Sequence, residues 1–394
     1  MLNPPQVTFL ISTYNRREVL LHTLGELAKD AGRSGIASEI IVVDNASRDG
    51  TADYIARQFP RVKLIREKRN RGACAKNLGL ATARSPFVIF LDDDSYPAAG
   101  SVRRMLGHFA ADPSLGAAVF DVILPDGSHE CSAYPNVFIG CGTGFRREAL
   151  MQTGGLPEDF FMQAEEYDLS LRLLDGGWKI ERFDLPLWHL KTAAARIPTR
   201  TTRLDTRNNL LLITRYFPRE WLLPFAVDWM RRYRWLAEKK SGRHTIAFWR
   251  GLAEGILRSL TPGRRREISA AAFEQFARIN DIEQRMRGVI RAGNFSSILL
   301  LDVGKNILPY YLAAAACGAR IVGIADNRLA KAGRTYRGIP VVDDGGARAL
   351  RYDAAIVANL SPVHAAVRAA EWGCKSTVPV FDLFEKAVPL ARVA

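Results

Sequence analysis

The chain has 394 residues, 48% hydrophobic and 24% charged, the balance of an ordinary globular protein with room for about two or three domains. Five scattered cysteines without CxxC spacing argue against a zinc site or a disulfide framework, and for reduced thiols in a cytosolic protein. The opening Met1-Leu2-Asn3-Pro4-Pro5 lacks the basic and apolar regions of a signal peptide, no apolar run reaches the roughly 18 residues of a membrane span, and a net charge of +14 calls for a regional explanation.

Val7 to Ile11 reads as a first strand, followed by the polar loop Ser12-Thr13-Tyr14-Asn15 and a helix with apolar residues at Val19, Leu20, Leu24, Leu27 and Ala28. Glu39 to Val43 is a second strand running into Asp44-Asn45-Ala46-Ser47-Arg48-Asp49-Gly50-Thr51, a loop by its Asp, Asn, Ser and Gly content. A helix with Tyr54, Ile55 and Phe59 follows, then a short strand from Val62 to Ile65 and a helix from Gly72 to Ala83. Phe87 to Leu91 is a fourth, buried strand ending in Asp92, Asp93 and Asp94. Alternating strands and helices predict an α/β fold with a parallel sheet covered on both faces, whose ligands bind beyond the carboxyl ends of the strands.

Three adjacent carboxylates repel one another unless a cation offsets them, so a hard divalent ion with its diphosphate ligand is one reading of the triplet. A solvated, helix-capping turn is the other. Asp44, at the end of the second strand, can accept from the imide N–H of a pyrimidine or simply cap its own loop. Arg71 and Lys76 are read as cations for a diphosphate, with surface solubilisation as the alternative.

The ordered series Thr13-Tyr14-Asn15, Val42-Val43-Asp44-Asn45-Ala46-Ser47 with Asp49-Gly50-Thr51, Asn70-Arg71-Gly72 with Asn77, and Asp92-Asp93-Asp94 resembles the family 2 glycosyltransferases of the GT-A fold over roughly residues 6–260. The resemblance implies a GT-A nucleotide-diphospho-sugar transferase domain. It places the nucleoside by Thr13, Tyr14, Asn15 and Asp44, and the donor's ribose and diphosphate by Arg71, Lys76, Asn77, Asp92 and Asp93. It also implies Mg2+ or Mn2+ on Asp92 and Asp94, the middle position of the triplet being the variable one. The Val-Asp-Asn-Ala-Ser form resembles rhamnosyl-transferring members, so dTDP-linked or UDP-linked sugars are the expected donors.

Further along, Gly140-Cys141-Gly142-Thr143-Gly144-Phe145-Arg146-Arg147 reads as a tight turn where backbone approaches a ligand or another strand closely. It lacks the lysine and context of a P-loop and resembles the family's approach to the acceptor. Glu165, Glu166 and Asp168 open an amphipathic helix carrying Leu169, Leu173 and Leu174, where acids also complement the helix dipole. The segment resembles the family's Glu-Asp-x-Asp-Leu-x-x-Arg pattern, which makes Glu166 the expected base of an inverting transfer and Glu165 its rival. After a strand near Trp178 to Phe183, His189 sits where similar enzymes place a histidine near metal and diphosphate, and neutral imidazole suits Mn2+ better than Mg2+. Arg207 of Arg207-Asn208-Asn209 is a further expected diphosphate contact by the same resemblance.

Between Arg196 and Arg291 lie 21 Lys and Arg against nine Asp and Glu, almost the whole charge excess. Arginines interleaved with aromatics from Tyr216 to Trp235 suggest a helix lying on anionic lipid, a solvated basic face being the competing reading. No signature of a nucleic-acid binder accompanies the charge, and nucleic acid is not expected as a partner. From Gly293 the texture changes, with strands at Ile298–Gly304, Arg320–Asn327, Ala354–Ala358 and Val378–Phe381 and a helix from Leu308 to Cys317. This is a small Rossmann-like domain in which Asp326 takes the ribose-binding position, although Gly304 is the lone glycine of a broken fingerprint.

The expected organisation is a GT-A domain over 1–195, a basic helical extension over 196–292 and the Rossmann-like domain over 293–394. The expected activity is inverting, metal-dependent sugar transfer from a nucleotide-sugar donor to a saccharide or lipid-linked acceptor. It would take place in the cytoplasm or peripherally on the inner face of the plasma membrane. A sugar-nucleotide oxidoreductase or binding protein built on the C-terminal domain is the alternative.

Overall fold

The computed structural model describes residues 4–192, 197–261, 263 and 265–384. Arg196 and the expected boundary at 195/196 lie outside them. Two compact units emerge: residues 1–132 with 136–208, and residues 133–135 with 209–394. The division falls inside the helix Pro198–Tyr216. The basic helical stretch and the C-terminal sheet therefore share one unit instead of forming separate domains.

The first unit is built on a nine-stranded sheet: β1 (Val7–Thr13), β2 (Ser38–Asp44), β3 (Lys63–Arg66), β4 (Phe87–Leu91), β5 (Ser95–Pro97), β6 (Leu115–Ile123), β7 (His129–Glu130), β8 (Gly142–Arg146) and β9 (Lys179–His189). Their order is β3-β2-β1-β4-β8-β6-β9-β5, with β7 on β6. β1 to β4 are parallel, as their unbroken apolar runs require of strands covered on both faces. The sheet then becomes mixed, because β8 runs antiparallel between β4 and β6. Leu20, Leu24 and Leu27 of the helix Arg17–Ser34, and Val102, Met105 and Phe109 of the helix Ser101–Ala111, join the core formed by Phe9, Ile11, Val42, Ile89 and Leu91. Burying each such side chain stabilises the fold by about 1.5–3 kcal/mol.

The glycine run read as a tight turn is the buried strand β8. A Cβ at Gly144 would stand 2.2 Å from the Met105 sulfur, and one at Gly142 would stand 2.9 Å from the Val122 side chain. These glycines are spacers that let side chains from other elements lie flat on the strand.

The second unit combines the helices Arg219–Lys240, Gly242–Ser259, Ala270–Ala277 and Ile279–Gly293 with a sheet of β10 (Ser297–Leu301), β11 (Arg320–Ala325), β12 (Thr335–Tyr336), β13 (Ile339–Val342), β14 (Ala354–Val357) and β15 (Val380–Phe381). The order is β12-β13-β11-β10-β14-β15, parallel except for the β12–β13 hairpin. That hairpin turns through Arg337 and Gly338, both at positive φ, which suits a two-residue turn.

The aromatic residues read as lipid-facing are core residues instead. Phe225, Trp229, Tyr233 and Trp235 are buried, and Phe217 packs its ring edge-on against Phe225, Trp229 and Phe273. The arginines between them serve the same packing: Arg231 lies 3.7 Å from Asp228, Arg232 donates to the Val303 carbonyl at 3.0 Å, and Arg234 pairs with Glu238. No helix among the described residues is long and apolar enough to cross a membrane.

Candidate active site

Three loops that follow β1, β2 and β3 are laced together by asparagines. Asn45 donates from its backbone to the Thr13 carbonyl at 2.9 Å and from its amide to the Gly72 carbonyl at 3.0 Å, while its oxygen accepts from the Arg71 backbone. Asn15, in the left-handed region, donates from its backbone to Ser47 and accepts the Arg48 N–H at 2.7 Å. Inside this frame Asp44 is buried, with Oδ2 accepting the Ser47 N–H at 3.3 Å and Oδ1 left without a hydrogen-bond partner. A buried carboxylate oxygen in that condition costs free energy until a donor reaches it. Tyr14 stands at the rim, about one-third exposed.

The acidic triplet divides its labour, and the chain meets much of its charge internally. Asp93 turns inward, accepting from Thr13 Oγ1 at 2.8 Å and pairing with Arg16 at 2.7 Å. Burial raises its carboxyl to about 7 even though Arg16 and Thr13 oppose the rise. Asp94 is buried too, held by Arg16 at 2.7 Å and by the Thr192 N–H and hydroxyl at 2.9 and 3.0 Å, with His189 Nε2 3.3 Å from its other oxygen. Burial would raise Asp94, but His189 and Arg16 outweigh it and hold the carboxyl below the usual range. Asp92 alone is well exposed, 3.1 Å from Lys76 Nζ.

His189 donates or accepts through Nδ1 with Glu130 at 2.8 Å, and its Nε2 is buried without a hydrogen-bond partner. Although burial lowers it, Asp94, Cys141 and Glu130 together push the imidazole up to about 12. The ligand atoms of Asp92, Cys141 and His189 lie within 4.8 Å of one another. The Asp92 carboxylate suits a hard divalent cation and the His189 imidazole could join it once the ion displaces its proton, whereas the Cys141 thiol, pushed up to about 11 by burial, is a soft donor that does not suit Mg2+ or Mn2+. Asp94, expected as a ligand, is not in this group; Arg16 and Thr192 hold its Oδ2, and its Oδ1 faces His189 Nε2 at 3.3 Å.

The facing wall is the start of the helix Glu165–Asp175. Its approach is strained: Phe161, Gln163 and Ala164 all have positive φ, which costs about 1–3 kcal/mol each for a residue with a side chain. Asn208 holds the strained turn by donating to the carbonyls of Phe160, Met162 and Gln163 at 3.1, 2.8 and 2.7 Å. Arg207 adds a bond to the Phe160 carbonyl at 2.7 Å. Glu165 is buried with Oε2 unpartnered, and burial first, then Glu166, raises its carboxyl well above the ordinary range, with Lys76 and Asp92 close enough to act on it. Glu166 is half-buried, and its Oε1 lies 3.3 Å from where a Cβ on Gly140 would stand. The Gly140 carbonyl in turn accepts from Lys76 at 3.2 Å. Asp92, Lys76, Gly140, Glu165 and Glu166 thus converge on one cleft.

Several expected contacts are occupied elsewhere. Asn77 clamps Leu156, donating from its amide to the Leu156 carbonyl and accepting the Leu156 N–H, at 2.8 Å each, which makes it a brace of that segment. Arg207 is buried against the turn at Phe160 and is a brace for that turn. Lys76 is buried, and its ammonium donates to Asp92 at 3.1 Å and to the Gly140 carbonyl at 3.2 Å. Arg71 stays partly exposed, with Glu67 at 3.1 Å. In the second unit, Asp326 accepts the backbone N–H groups of Val303, Arg328 and Leu329, so its carboxylate is a loop brace. The loop where a pyrophosphate would sit is covered as well. Trp229 and Tyr134 both donate to the Lys305 carbonyl, and Lys305 Nζ reaches Asn209 at 2.9 Å. Arg16, Glu130, Cys141 and Asn208 were not picked out in the sequence. A cation beside the triplet was the one legible need, and Arg16 directly follows the Tyr14-Asn15 loop.

Residues 8–131 match the family model described as Glycosyl transferase family 2. The chain is 34% identical over 127 residues to the succinoglycan biosynthesis protein ExoO of Rhizobium meliloti (strain 1021), covering 31% of this chain and 35% of that protein. It is 31% identical over 114 residues to poly-beta-1,6-N-acetyl-D-glucosamine synthase of Staphylococcus aureus (strain COL), covering 28% of this chain and 27% of the relative. The chain spans about a third of the length of the curated relatives it matches. Among solved structures, S. aureus TarS aligns with 15% identity and a TM-score of 0.47 over 65% of this chain and 49% of its own.

Proposed function

We propose that this chain, whose residues 8–131 belong to glycosyl transferase family 2, moves a sugar with inversion from a nucleotide-diphosphate donor to a hydroxyl of a saccharide or lipid-linked acceptor. The observation that carries the reading is the meeting of Asp92, at the end of β4, with Glu165 and Glu166, more than 70 positions away, around Lys76 and Gly140. The unpartnered oxygen of Asp44 accepts the imide N–H of uracil or thymine, which supports UDP-linked or dTDP-linked donors, a deoxysugar such as rhamnose among them. Thr13, Asn15 and Asn45 fix the loops around that base, and Tyr14 borders it. Such donors place the reaction in the cytoplasm, with a growing polysaccharide or its lipid carrier as the acceptor.

Asp92 and His189 would hold Mg2+ or Mn2+, with the Cys141 thiol beside them and outside the ligand set. When bound, the ion supplies positive charge against the departing diphosphate. Glu166 takes the proton of the attacking hydroxyl as its oxygen bonds to the anomeric carbon. Glu165, buried beside it, is held protonated well above the ordinary carboxylate range and so adds no charge next to Glu166. Lys76 holds Asp92 in place by its bond at 3.1 Å.

Nucleotide sugars incubated with and without Mn2+ test the reading. Release of nucleotide should require the metal and fall at least about 100-fold in Glu166→Gln, the lower range for losing a general base. Full turnover in both Glu166→Gln and Asp92→Ala would end the proposal.

A further inference from the structure

Three strand ends of the first unit bring a carboxylate, a thiol and an imidazole together. Asp92 follows β4, Cys141 precedes β8 and His189 ends β9. Leu91 pairs with Gly142 in the antiparallel β4–β8 ladder, and Asp92 and Cys141 are the next residues beyond that pair. Ser95 then fixes all three backbones. Its hydroxyl donates to the Cys141 carbonyl at 2.7 Å and accepts the Asp92 N–H at 2.9 Å, and in the β5–β9 pairing it stands opposite His189. Ser95 is fully buried, so this staple belongs to the core.

The histidine is oriented as a metal ligand. His189 is 3% exposed, and its Nδ1 meets the Glu130 carboxylate at 2.8 Å. Its Nε2 makes no hydrogen bond, although Asp94 Oδ1 stands 3.3 Å away. A carboxylate on one ring nitrogen turns the other towards an ion and makes it a stronger donor. The buried Cys141 thiol and the Asp92 carboxylate complete a group whose ligand atoms lie within 4.8 Å of one another. Ligand atoms on one tetrahedral Zn2+ stand about 3.3–3.6 Å apart, given bonds of roughly 2.0–2.3 Å. The contraction falls to Asp92, whose side chain is 41% exposed and also gives the ion its way in. Nitrogen, sulfur and oxygen donors in one set suit Zn2+ and not Mg2+ or Mn2+. The thiol and Nε2 protons leave as the zinc–sulfur and zinc–nitrogen bonds form, so two negative ligands face the ion's two positive charges.

We propose that Asp92, Cys141 and His189 form a Zn2+ site, with these three side chains as ligands and the fourth position open. Cys141 separates it from the Mg2+ or Mn2+ site of the sugar-transfer reading, which uses Asp92 and His189 alone. On that reading Zn2+ excludes the catalytic ion and arrests transfer, whereas the binding of Zn2+ does not depend on it. No zinc spacing is legible in the sequence, because only strand pairing brings the three ligands together.

Titration of the full-length, metal-free protein with Co2+, a spectroscopic stand-in for Zn2+, tests the site. One equivalent should bind with the near-ultraviolet charge-transfer band of a cobalt–thiolate bond, and one equivalent of Zn2+ should erase that band. Glu130→Gln should weaken Zn2+ about 10-fold to 100-fold against a chromophoric chelator, and Cys141→Ser at least as much. Cys141→Ser should also abolish the band while the other four cysteines remain, and should leave Mn2+ affinity in the presence of UDP unchanged. Cys141→Ala repeats the test without a hydroxyl, and circular dichroism checks that each variant folds. If neither Cys141 variant folds, Glu130→Gln decides, and parent-like Zn2+ affinity in it would overturn the proposal. So would a band that survives in Cys141→Ser, Zn2+ binding without a thiolate band, or no Zn2+ binding by the parent protein. Zn2+ held through Cys141 in a protein that takes up no Mn2+ would uphold this site and remove the metal from the sugar-transfer reading, so the two fail separately.

Discussion

At the head of the helix Glu165–Asp175, two adjacent glutamates of equal chemistry meet different surroundings, and the difference assigns their work. Glu165 is buried and retains its proton well beyond the ordinary glutamate range, whereas Glu166 borders the cleft. Folding therefore takes up a proton at Glu165 at pH values where the unfolded chain has already released it. Stability should fall as pH rises from the ordinary glutamate range towards the raised value, and Glu165→Gln should remove that slope. Urea unfolding between about pH 5 and 8 measures this, and parallel curves for the two proteins would contradict the burial of Glu165. Asp44 permits a second expectation at the same scale. Its lone oxygen makes a charge-assisted bond only when a base is present, worth about 1.5–3 kcal/mol, or roughly 10-fold to 100-fold in affinity. Asp44→Asn should weaken UDP or dTDP by that factor in calorimetric titration while leaving turnover at saturating donor nearly unchanged.

Between residues and domains, the decisive element is the turn before that helix. Its left-handed residues at Phe161, Gln163 and Ala164 would relax if its carbonyls were released, and Asn208 alone holds three of them. Asn208→Ala should lower kcat about 10-fold to 100-fold, because small displacements of a general base carry costs of that order, with the KM for donor little changed. Asn208→Asp is the sharper control, since it keeps the shape but turns an acceptor towards those carbonyls. A fall in donor affinity equal to the fall in kcat would show that the turn serves the nucleotide instead. This element also shows where sequence reading stops. β1 to β4 and the helix carrying Glu165 and Glu166 were legible because apolar runs and helical spacing are local signals. The brace at Asn208 lies about 45 positions from the carbonyls it holds, so only the folded chain reveals it. β8 was misread for a related reason: its glycines answer Met105, Val122 and Leu187, which no local pattern announces. Arg207 and Asn77 were expected at the donor from the family resemblance, and their bonds to the Phe160 carbonyl and to Leu156 are long-range contacts that no motif announces.

Across the described residues, two sheets with parallel cores present acidic residues at the carboxyl ends of parallel strands, and Asp44 and Asp326 fare differently there. In the first unit Asp44 keeps an oxygen without a partner. In the second, Asp326 is committed to three backbone amides, and the loop before the helix Ile307–Ala316 is covered by Trp229 and Tyr134. The same arithmetic explains the basic segment: its charges largely pair or brace backbone in the helix Arg219–Lys240, so composition counted an excess without showing where it is spent. On the proposed reading the chain binds one nucleotide. Titration of the full-length protein with UDP or dTDP should saturate at one equivalent, and Asp44→Asn should weaken that single event. NAD and NADP should give no binding heat. Asp326→Asn leaves the loop's amides facing a weaker acceptor and introduces a donor beside them, so it should cost about 1–3 kcal/mol of unfolding free energy without changing the nucleotide stoichiometry. A second equivalent of nucleotide that disappears in Asp326→Asn and persists in Asp44→Asn would mean that Trp229 and Tyr134 move aside, and that the second sheet binds a ligand of its own.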